Sequence, residues 1–251
     1  MSQPVIEAEN VSKTFVLHRR ELSLRHEALG LLRSALGRRP TPPPFYAVRD
    51  LSFTMQPGES LAIIGRNGAG KSTLLRLLAG IFTPSAGRIV MRGRVAALIG
   101  LGAGFLPTLT GRENIHLSAA LYGLAPRELR MRLDAIIDFA ELGEFIDVPV
   151  KDYSSGMQAR LGFSVAAHVA PEILLLDEVF AVGDAAFQQK CMHKIIALRD
   201  EGRSLVFVSH AAGAVRWLCE RALWLHEGAL RLDGPTEEVL AAYNAFLGET
   251  P

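Results

Sequence analysis

The 251 residues contain only two cysteines, Cys191 and Cys219. That is too few for a disulfide-held scaffold, and in a reducing compartment both are expected to be free and packed. Long apolar runs are missing too. No stretch without charge or proline exceeds twelve residues, and the most apolar of them, Val95 to Leu106, carries three glycines, well short of the roughly 20 that a membrane-crossing helix needs. The first residues, Met1-Ser2-Gln3-Pro4-Val5-Ile6-Glu7, lack a basic start followed by an apolar stretch. No secretory signal is therefore expected, and the chain is assigned to the cytosol. No charge sign dominates: 27 Lys and Arg face 26 Asp and Glu, a net +1. The whole-chain field neither demands nor excludes a nucleic acid, and electrostatic partners must be sought in local patches. Internal repeats, low-complexity tracts and long linkers are also absent.

What remains is a globular balance, 49% hydrophobic against 21% charged, enough for one large domain or two small ones. Ser60-Leu61-Ala62-Ile63-Ile64, Ile173-Leu174-Leu175-Leu176 and Ser204-Leu205-Val206-Phe207-Val208 are apolar runs without alternation. Such runs are expected of parallel strands covered on both faces. Helical segments lie between them: Lys71 to Ala79, Arg112 to Leu121, Arg127 to Ala140 after Pro126, Met157 to Val169, and Phe187 to Arg199. Strand, turn and helix in alternation predict an α/β domain. Residues 108–170 hold helices and no convincing strand, so they are expected to form a helical subdomain inserted into a core made of 46–107 and 171–210. Ala222-Leu223-Trp224-Leu225-His226 and Ala229-Leu230-Arg231-Leu232, joined by Glu227-Gly228, predict a hairpin within a final segment, 211–251, that closes with a helix beginning at Pro235 and Thr236.

The chemistry begins at Gly65-Arg66-Asn67-Gly68-Ala69-Gly70-Lys71-Ser72, which fits G-x-x-x-x-G-K-[ST] between a strand and a helix. Glycines let backbone N–H groups curl around an anion, the helix start adds partial positive charge, and Lys71 supplies a full one. Gly65, Asn67, Gly68, Gly70, Lys71, Ser72 and Thr73 are thus expected to bind a nucleoside triphosphate, with Ser72 a ligand to Mg²⁺. Ile173-Leu174-Leu175-Leu176 ends in Asp177-Glu178, at the sheet edge where ligands of α/β folds bind. Asp177 is expected to hold Mg²⁺ and Glu178 to polarise the attacking water. His210, after Val206-Phe207-Val208-Ser209, ends a third strand at the same edge and is expected to contact the γ-phosphate.

Tyr153-Ser154-Ser155-Gly156-Met157-Gln158-Ala159-Arg160-Leu161 opens a helix just before the acidic strand. Here the chain resembles the nucleotide-binding subunit of an ABC transporter, whose signature L-S-G-G-Q occurs at this place. The resemblance covers essentially the whole chain. It implies an ABC-type P-loop fold with a mostly parallel core sheet, an inserted helical subdomain and an antiparallel β subdomain. It also implies ATP with Mg²⁺ bound between two head-to-tail subunits, so that Ser154 and Gly156 face the γ-phosphate held by a second subunit's Lys71. Ala181-Val182-Gly183-Asp184 is similar to the family's D-loop, which makes Asp184 a contact across the homodimer. Phe15, after Val11-Ser12-Lys13-Thr14, resembles the aromatic that stacks on adenine, with Tyr46 as its rival.

Three departures narrow the branch: the Tyr-Ser-Ser-Gly-Met signature, the inserted arm of residues 17–45, and Gly102-Ala103-Gly104-Phe105 leading into Leu109-Thr110-Gly111-Arg112-Glu113-Asn114. Together they resemble the ATPase subunits of bacterial polysaccharide exporters. That implies hydrolysis of ATP to export a lipid-linked glycan through a separate membrane permease, from a peripheral position on the cytoplasmic face of the inner membrane. The competing classes are an ABC subunit for another cargo and a stand-alone ABC ATPase. One position departs further: no glutamine or acid occurs from Val95 to Arg112, and Gly100 stands where most of the family places a magnesium-touching glutamine. With the sequence ending at Pro251, no appended carbohydrate-binding domain is expected. The arm carries six arginines against two glutamates, +4, with Leu22, Leu29, Leu32 and Leu36 on one helical stripe. It can be a solvated loop, a nucleic-acid contact, or a helix against the membrane partner and anionic headgroups. No aromatic interleaves Arg19 to Arg39, which disfavours nucleic acid.

Overall fold

The computed structural model describes residues 3–16, 44–100, 102, 104–177 and 183–248. Nearly all of the basic arm, Glu178 and the Ala181-Val182 pair lie outside the described residues. Two sheets organise the rest. Strands β1 (Ile6–Phe15), β2 (Phe45–Met55) and β4 (Ala86–Met91) form an antiparallel sheet in the order β2-β1-β4. A six-stranded sheet runs β5 (Val95–Leu98), β6 (Ile173–Leu176), β7 (Ser204–Val208), β3 (Ser60–Ile64), β8 (Arg221–His226), β9 (Ala229–Pro235). Its first five strands are parallel and β9 returns antiparallel to β8. This is the α/β class expected, antiparallel subdomain included.

The lack of alternation in β3 has its cause in the packing. Leu61 and Ile63 face the cluster that holds Leu51, Met55 and Leu74, while Ala62 and Ile64 face the cluster that holds Leu161, Phe163 and Phe207. All five residues of β3 are buried, and each Leu or Ile contributes about 1.5–3 kcal/mol by leaving water. A charged side chain at Ile63 would be buried unpaired, a substitution the fold would not survive.

Helix α1 (Lys71–Leu78) follows β3 and lies between the two sheets, burying Leu74, Leu75, Leu77 and Leu78. Between β5 and β6 come α2 (Gly111–Leu121), α3 (Pro126–Ala140), two 3₁₀ turns at Gly143–Asp147 and Val150–Asp152, and α4 (Ser155–His168). The β content described in that stretch is one isolated bridge, Thr110 to Pro149. Helix α5 (Ala185–Asp200) joins β6 to β7, α6 (Ala212–Leu218) joins β7 to β8, and α7 (Thr236–Leu247) follows β9. Four helices start one or two residues earlier than the apolar pattern predicts, and three of them do so at polar caps. Thr110 and Glu113 form a capping box on α2, Ser154 caps α4, and Asp184 caps α5. Among the described residues no helix is long and apolar enough to cross a membrane.

Candidate nucleotide site

Strand β3 delivers the chain at Ile64 into the loop Gly65–Gly70, and the loop feeds α1. Two of its glycines are required by close approach. A Cβ on Gly65 would lie 2.3 Å from the Leu225 carbonyl oxygen, and one on Gly70, at φ 100°, 2.2 Å from that of Ala47. Backbone from β8 and β2 thus presses the loop from both ends. The hairpin tip adds a hydrogen bond, Gly228 N–H to Ala69 C=O at 3.1 Å, and Gly228 in turn accepts from Arg49 N–H at 2.8 Å. Gly70 is the N-cap of α1 and offers no side chain to its amides, so the first-turn N–H groups stay available to an anion. Nothing lies within 4 Å of the place a Cβ would take on Gly68, which leaves space over the loop.

Lys71 is buried, and its Nζ donates to Gly65 C=O at 2.7 Å and Arg66 C=O at 3.1 Å. Burial pulls its pKa below the usual lysine value, with the Asp177 charge acting against that pull. Asp177 follows the last residue of β6 and shows the mirror behaviour. Burial raises its carboxyl, while Arg76 and then Lys71 lower it. The loop lysine and the strand-end carboxylate therefore sense each other across the C-terminal edge of the sheet. Ser72 is exposed and Thr73 half-buried at the start of α1. His210 is exposed just past β7, after Ser209, whose Oγ accepts from Ala211 N–H at 3.0 Å.

The second half of the expected site is the start of α4. Ser154 Oγ accepts from Met157 N–H at 3.2 Å, which places Ser155 and Gly156 in the first helical turn, with Ser154 and Ser155 exposed. Asp184 is engaged within its own chain. One carboxylate oxygen accepts from Phe187 N–H at 2.9 Å and the other from Arg160 at 2.7 Å. These contacts hold its carboxyl below the usual range, the Phe187 amide most strongly. Its side chain is still 64% exposed, so it remains presentable to a second subunit. Arg160 is the residue that sequence reasoning missed. Its guanidinium bonds Glu141 at 3.1 Å as well as Asp184, lies over the Phe187 ring at 4.5 Å, and is 18% exposed. Lys190 reaches the same Glu141 at 2.6 Å.

Phe15 packs edge-on against Phe82 at 5.7 Å, with Lys13 Nζ near both rings. Tyr46 is 38% exposed, carries the Arg49 guanidinium at 4.8 Å, and directly precedes the Ala47 carbonyl that abuts Gly70. Both aromatics sit at the same end of the antiparallel sheet, where Thr14 pairs with Tyr46 and Phe15 with Phe45. Gly100, just past β5, adopts φ 57° and lines a small cavity with Phe105, Tyr122 and Gly162. A larger cleft of about 430 Å³ lies at the opposite edge, by Gly58 and Ser60. Its Arg199 and Arg216 already face Asp200 and Glu237, so it is not where phosphate chemistry is built.

A parallel sheet whose first strand enters a glycine loop and a buried lysine, with a carboxylate ending another strand at the same edge, defines a P-loop nucleotide-binding domain. The chain belongs to the ABC transporter family, which it matches over residues 48–181. Among its relatives, the O-antigen export system ATP-binding protein RfbB of Klebsiella pneumoniae is 45% identical over 248 residues, covering 96% of this chain and 98% of that one. The teichoic acids export ATP-binding protein TagH of Levilactobacillus brevis is 41% identical over 241 residues, covering 96% of this chain and 65% of TagH. In fold the chain is similar to the ATP-binding cassette MJ0796, solved as a dimer in a post-hydrolysis state with ADP and Pi. The TM-score is 0.70 at 21% identity, over 92% of this chain and 98% of that one.

Proposed function

We propose that this protein is the ATP-binding and ATP-hydrolysing subunit that powers export of a lipid-linked polysaccharide through a separate membrane permease. The observation that carries the ATPase part is the pairing of a backbone-locked phosphate loop with an exposed, serine-capped helix start on the same chain. Neither half can enclose a nucleotide alone, and two copies head to tail supply both. The relatives named for export of O-antigen and of teichoic acids support a surface polysaccharide as the cargo class.

Lys71 would exchange its carbonyl partners Gly65 and Arg66 for β- and γ-phosphate oxygens, and the loop amides would take the rest of the anion. Ser72 and Asp177 offer the hard oxygen donors that suit Mg²⁺; when bound, the ion offsets phosphate charge. Glu178 is assigned to the attacking water and His210 to the γ-phosphate. Ser154, Gly156 and Asp184 are assigned to the nucleotide held by the second subunit, and Phe15 or Tyr46 to the adenine. Gly100 has no side chain to reach the site, so no group from that loop is given a catalytic role. The subunit would work at the cytoplasmic face of the bacterial inner membrane, its basic arm against the permease or anionic headgroups and not on nucleic acid.

The test is Lys71→Ala in the source cell with glycan analysis of surface and cytoplasmic fractions. The expected result is loss of a surface polysaccharide with lipid-linked chains accumulating inside. An unchanged surface glycan would transfer the assignment to another cargo.

A further inference from the structure

The segment Leu109-Thr110-Gly111-Arg112-Glu113-Asn114 stood out in the sequence and plays no part in the chemistry above, yet the structure uses nearly every residue of it. Asn114 is fully buried, and its amide holds the preceding loop from four directions. Oδ1 accepts from Leu106 N–H at 2.8 Å, and Nδ2 lies within hydrogen-bond distance of the carbonyls of Leu106, Leu109 and Thr110 at 2.9–3.1 Å. That loop is stitched to the run entering the signature. Val150 N–H donates to Leu109 C=O at 2.9 Å, Lys151 N–H to Pro107 C=O at 2.8 Å, and Gly111 N–H to Val148 C=O at 3.3 Å. Arg112 grips Asp147 with two nitrogens, at 2.7 and 3.1 Å.

At the centre of this seam stand Gly111 and Tyr153. The Tyr153 ring is 7% exposed and its hydroxyl donates to Phe145 C=O at 2.5 Å. A Cβ on Gly111 would lie 2.2 Å from that hydroxyl oxygen and 3.0 Å from the Ile146 carbonyl. Only a residue without a side chain lets the tyrosine seat. Tyr153 is the residue directly before Ser154, the cap of α4, so the seating of one ring decides where the signature amides point. On the other side, Gly102 of the loop after β5 lies against Gln158 of α4, whose Cβ is 3.4 Å from where a Gly102 Cβ would be.

We propose that residues 106–114 and 145–153 form one rigid coupler, locked by the Gly111–Tyr153 contact, that sets the approach of the Ser154 helix start to the nucleotide of a second subunit. Gly111 and Tyr153 are positioning residues and touch no phosphate themselves. The inference rests on the head-to-tail ATP dimer proposed above. It predicts that disturbing the lock leaves nucleotide binding by the P-loop half intact and damages only what the second subunit contributes.

The experiment uses the full chain with Gly111→Ala, Tyr153→Phe and the pair, assayed for ATP affinity of the monomer, for steady-state hydrolysis, and, on a Glu178→Gln background, for ATP-dependent dimerisation by light scattering. Gly111→Ala is expected to lower turnover about tenfold and raise the ATP needed for dimerisation by a similar factor, with monomer affinity held within about twofold. Tyr153→Phe alone is expected to change turnover by about twofold or less. In the pair, removal of the hydroxyl that the new methyl meets should restore most of the turnover, a rescue that general destabilisation does not produce. Should Gly111→Ala fail to fold, Tyr153→Leu tests the same lock through the same split between turnover and affinity. Wild-type turnover in Gly111→Ala, or parallel loss of turnover and monomer affinity without rescue, overturns the proposal. Failure of Glu178→Gln alone to dimerise with ATP instead removes the composite-site reading beneath it.

Discussion

The loop Gly65–Gly70 and the helix start at Ser154 both present backbone N–H groups, yet different kinds of contact hold them in place. The loop is fixed by backbone against backbone, with the carbonyls of Leu225 and Ala47 occupying the positions where side chains on Gly65 and Gly70 would go. The helix start is fixed by side chains: the Ser154 cap, the Arg160 pairs with Glu141 and Asp184, and the seated ring of Tyr153. A region locked by main-chain contacts is formed before any ligand arrives and tolerates no change. A helix start carried on the Gly111–Tyr153 coupler through a cap and ion pairs with partly solvated carboxylates can shift together with that coupler as one body. The first suits a half-site that binds nucleotide alone, the second one that closes onto it afterwards.

The largest effect should come from breaking the rigid side. Gly70→Ala places a methyl against the Ala47 carbonyl at a residue with φ 100°. Left-handed backbone alone costs an alanine about 1–2 kcal/mol, and the clash adds to it. The loop must move, so nucleotide affinity is expected to fall by about two orders of magnitude or more, together with a lower Tm. Titration with a fluorescent nucleotide and a thermal melt read the two quantities. Near-native affinity in Gly70→Ala would mean that this loop is not backbone-locked, and the contrast between the halves would collapse.

A smaller, differently shaped effect is expected on the adjustable side. Arg160→Ala removes two ion pairs and the contact with the Phe187 ring, leaving Asp184 its cap bond to Phe187 N–H. Because both carboxylates are largely solvated, the loss of stability should be limited to a few degrees in Tm. Nucleotide affinity should be untouched while turnover falls several-fold. Arg160→Lys should recover little of it, since one ammonium cannot serve two carboxylates and stack as the planar guanidinium does. Equal losses in affinity and turnover would show that the two halves are mechanically one.

The same contrast explains what could be read from the chain. Strands β3, β6 and β7 were legible because both faces are buried and the apolar runs are unbroken, and the two motifs were legible because each is contiguous. Strands β1 and β2 were not. Their pairing is broken by register shifts around Asn10, at φ 48°, and Asp50, at φ 44°, so alternation fails at the bulges. Arg160 was invisible because its partner Asp184 lies 24 residues away and no local spacing announces such a pair. Gly111 stood out only as part of a run, and its reason, the Tyr153 ring, arrives from the other end of the helical insertion. Phe15 and Tyr46 stand one register position apart on paired strands, Thr14 opposite Tyr46 and Phe15 opposite Phe45, so both aromatics reach the same end of the sheet.

The mildest prediction concerns acid and the foot of the signature helix. His168 ends α4, its Nδ1 at 2.7 Å from the Ser164 carbonyl, its ring edge-on to Phe139 at 5.1 Å. Burial chiefly depresses its pKa below 6.5; the Ser164 bond acts the other way, and the charges of Lys194, Arg132 and Lys190 add to the depression. The folded chain thus resists a proton that the unfolded chain accepts, so the unfolded state binds more protons once the pH drops below the ordinary histidine value. Stability present above about pH 6.5 is therefore lost as the pH falls through the folded pKa, and the slope of Tm against pH is positive in that window. His168→Gln should flatten that part of the curve. If wild type and variant show the same slope between pH 7 and 5, the acid sensitivity lies in groups other than the one at the foot of the signature helix.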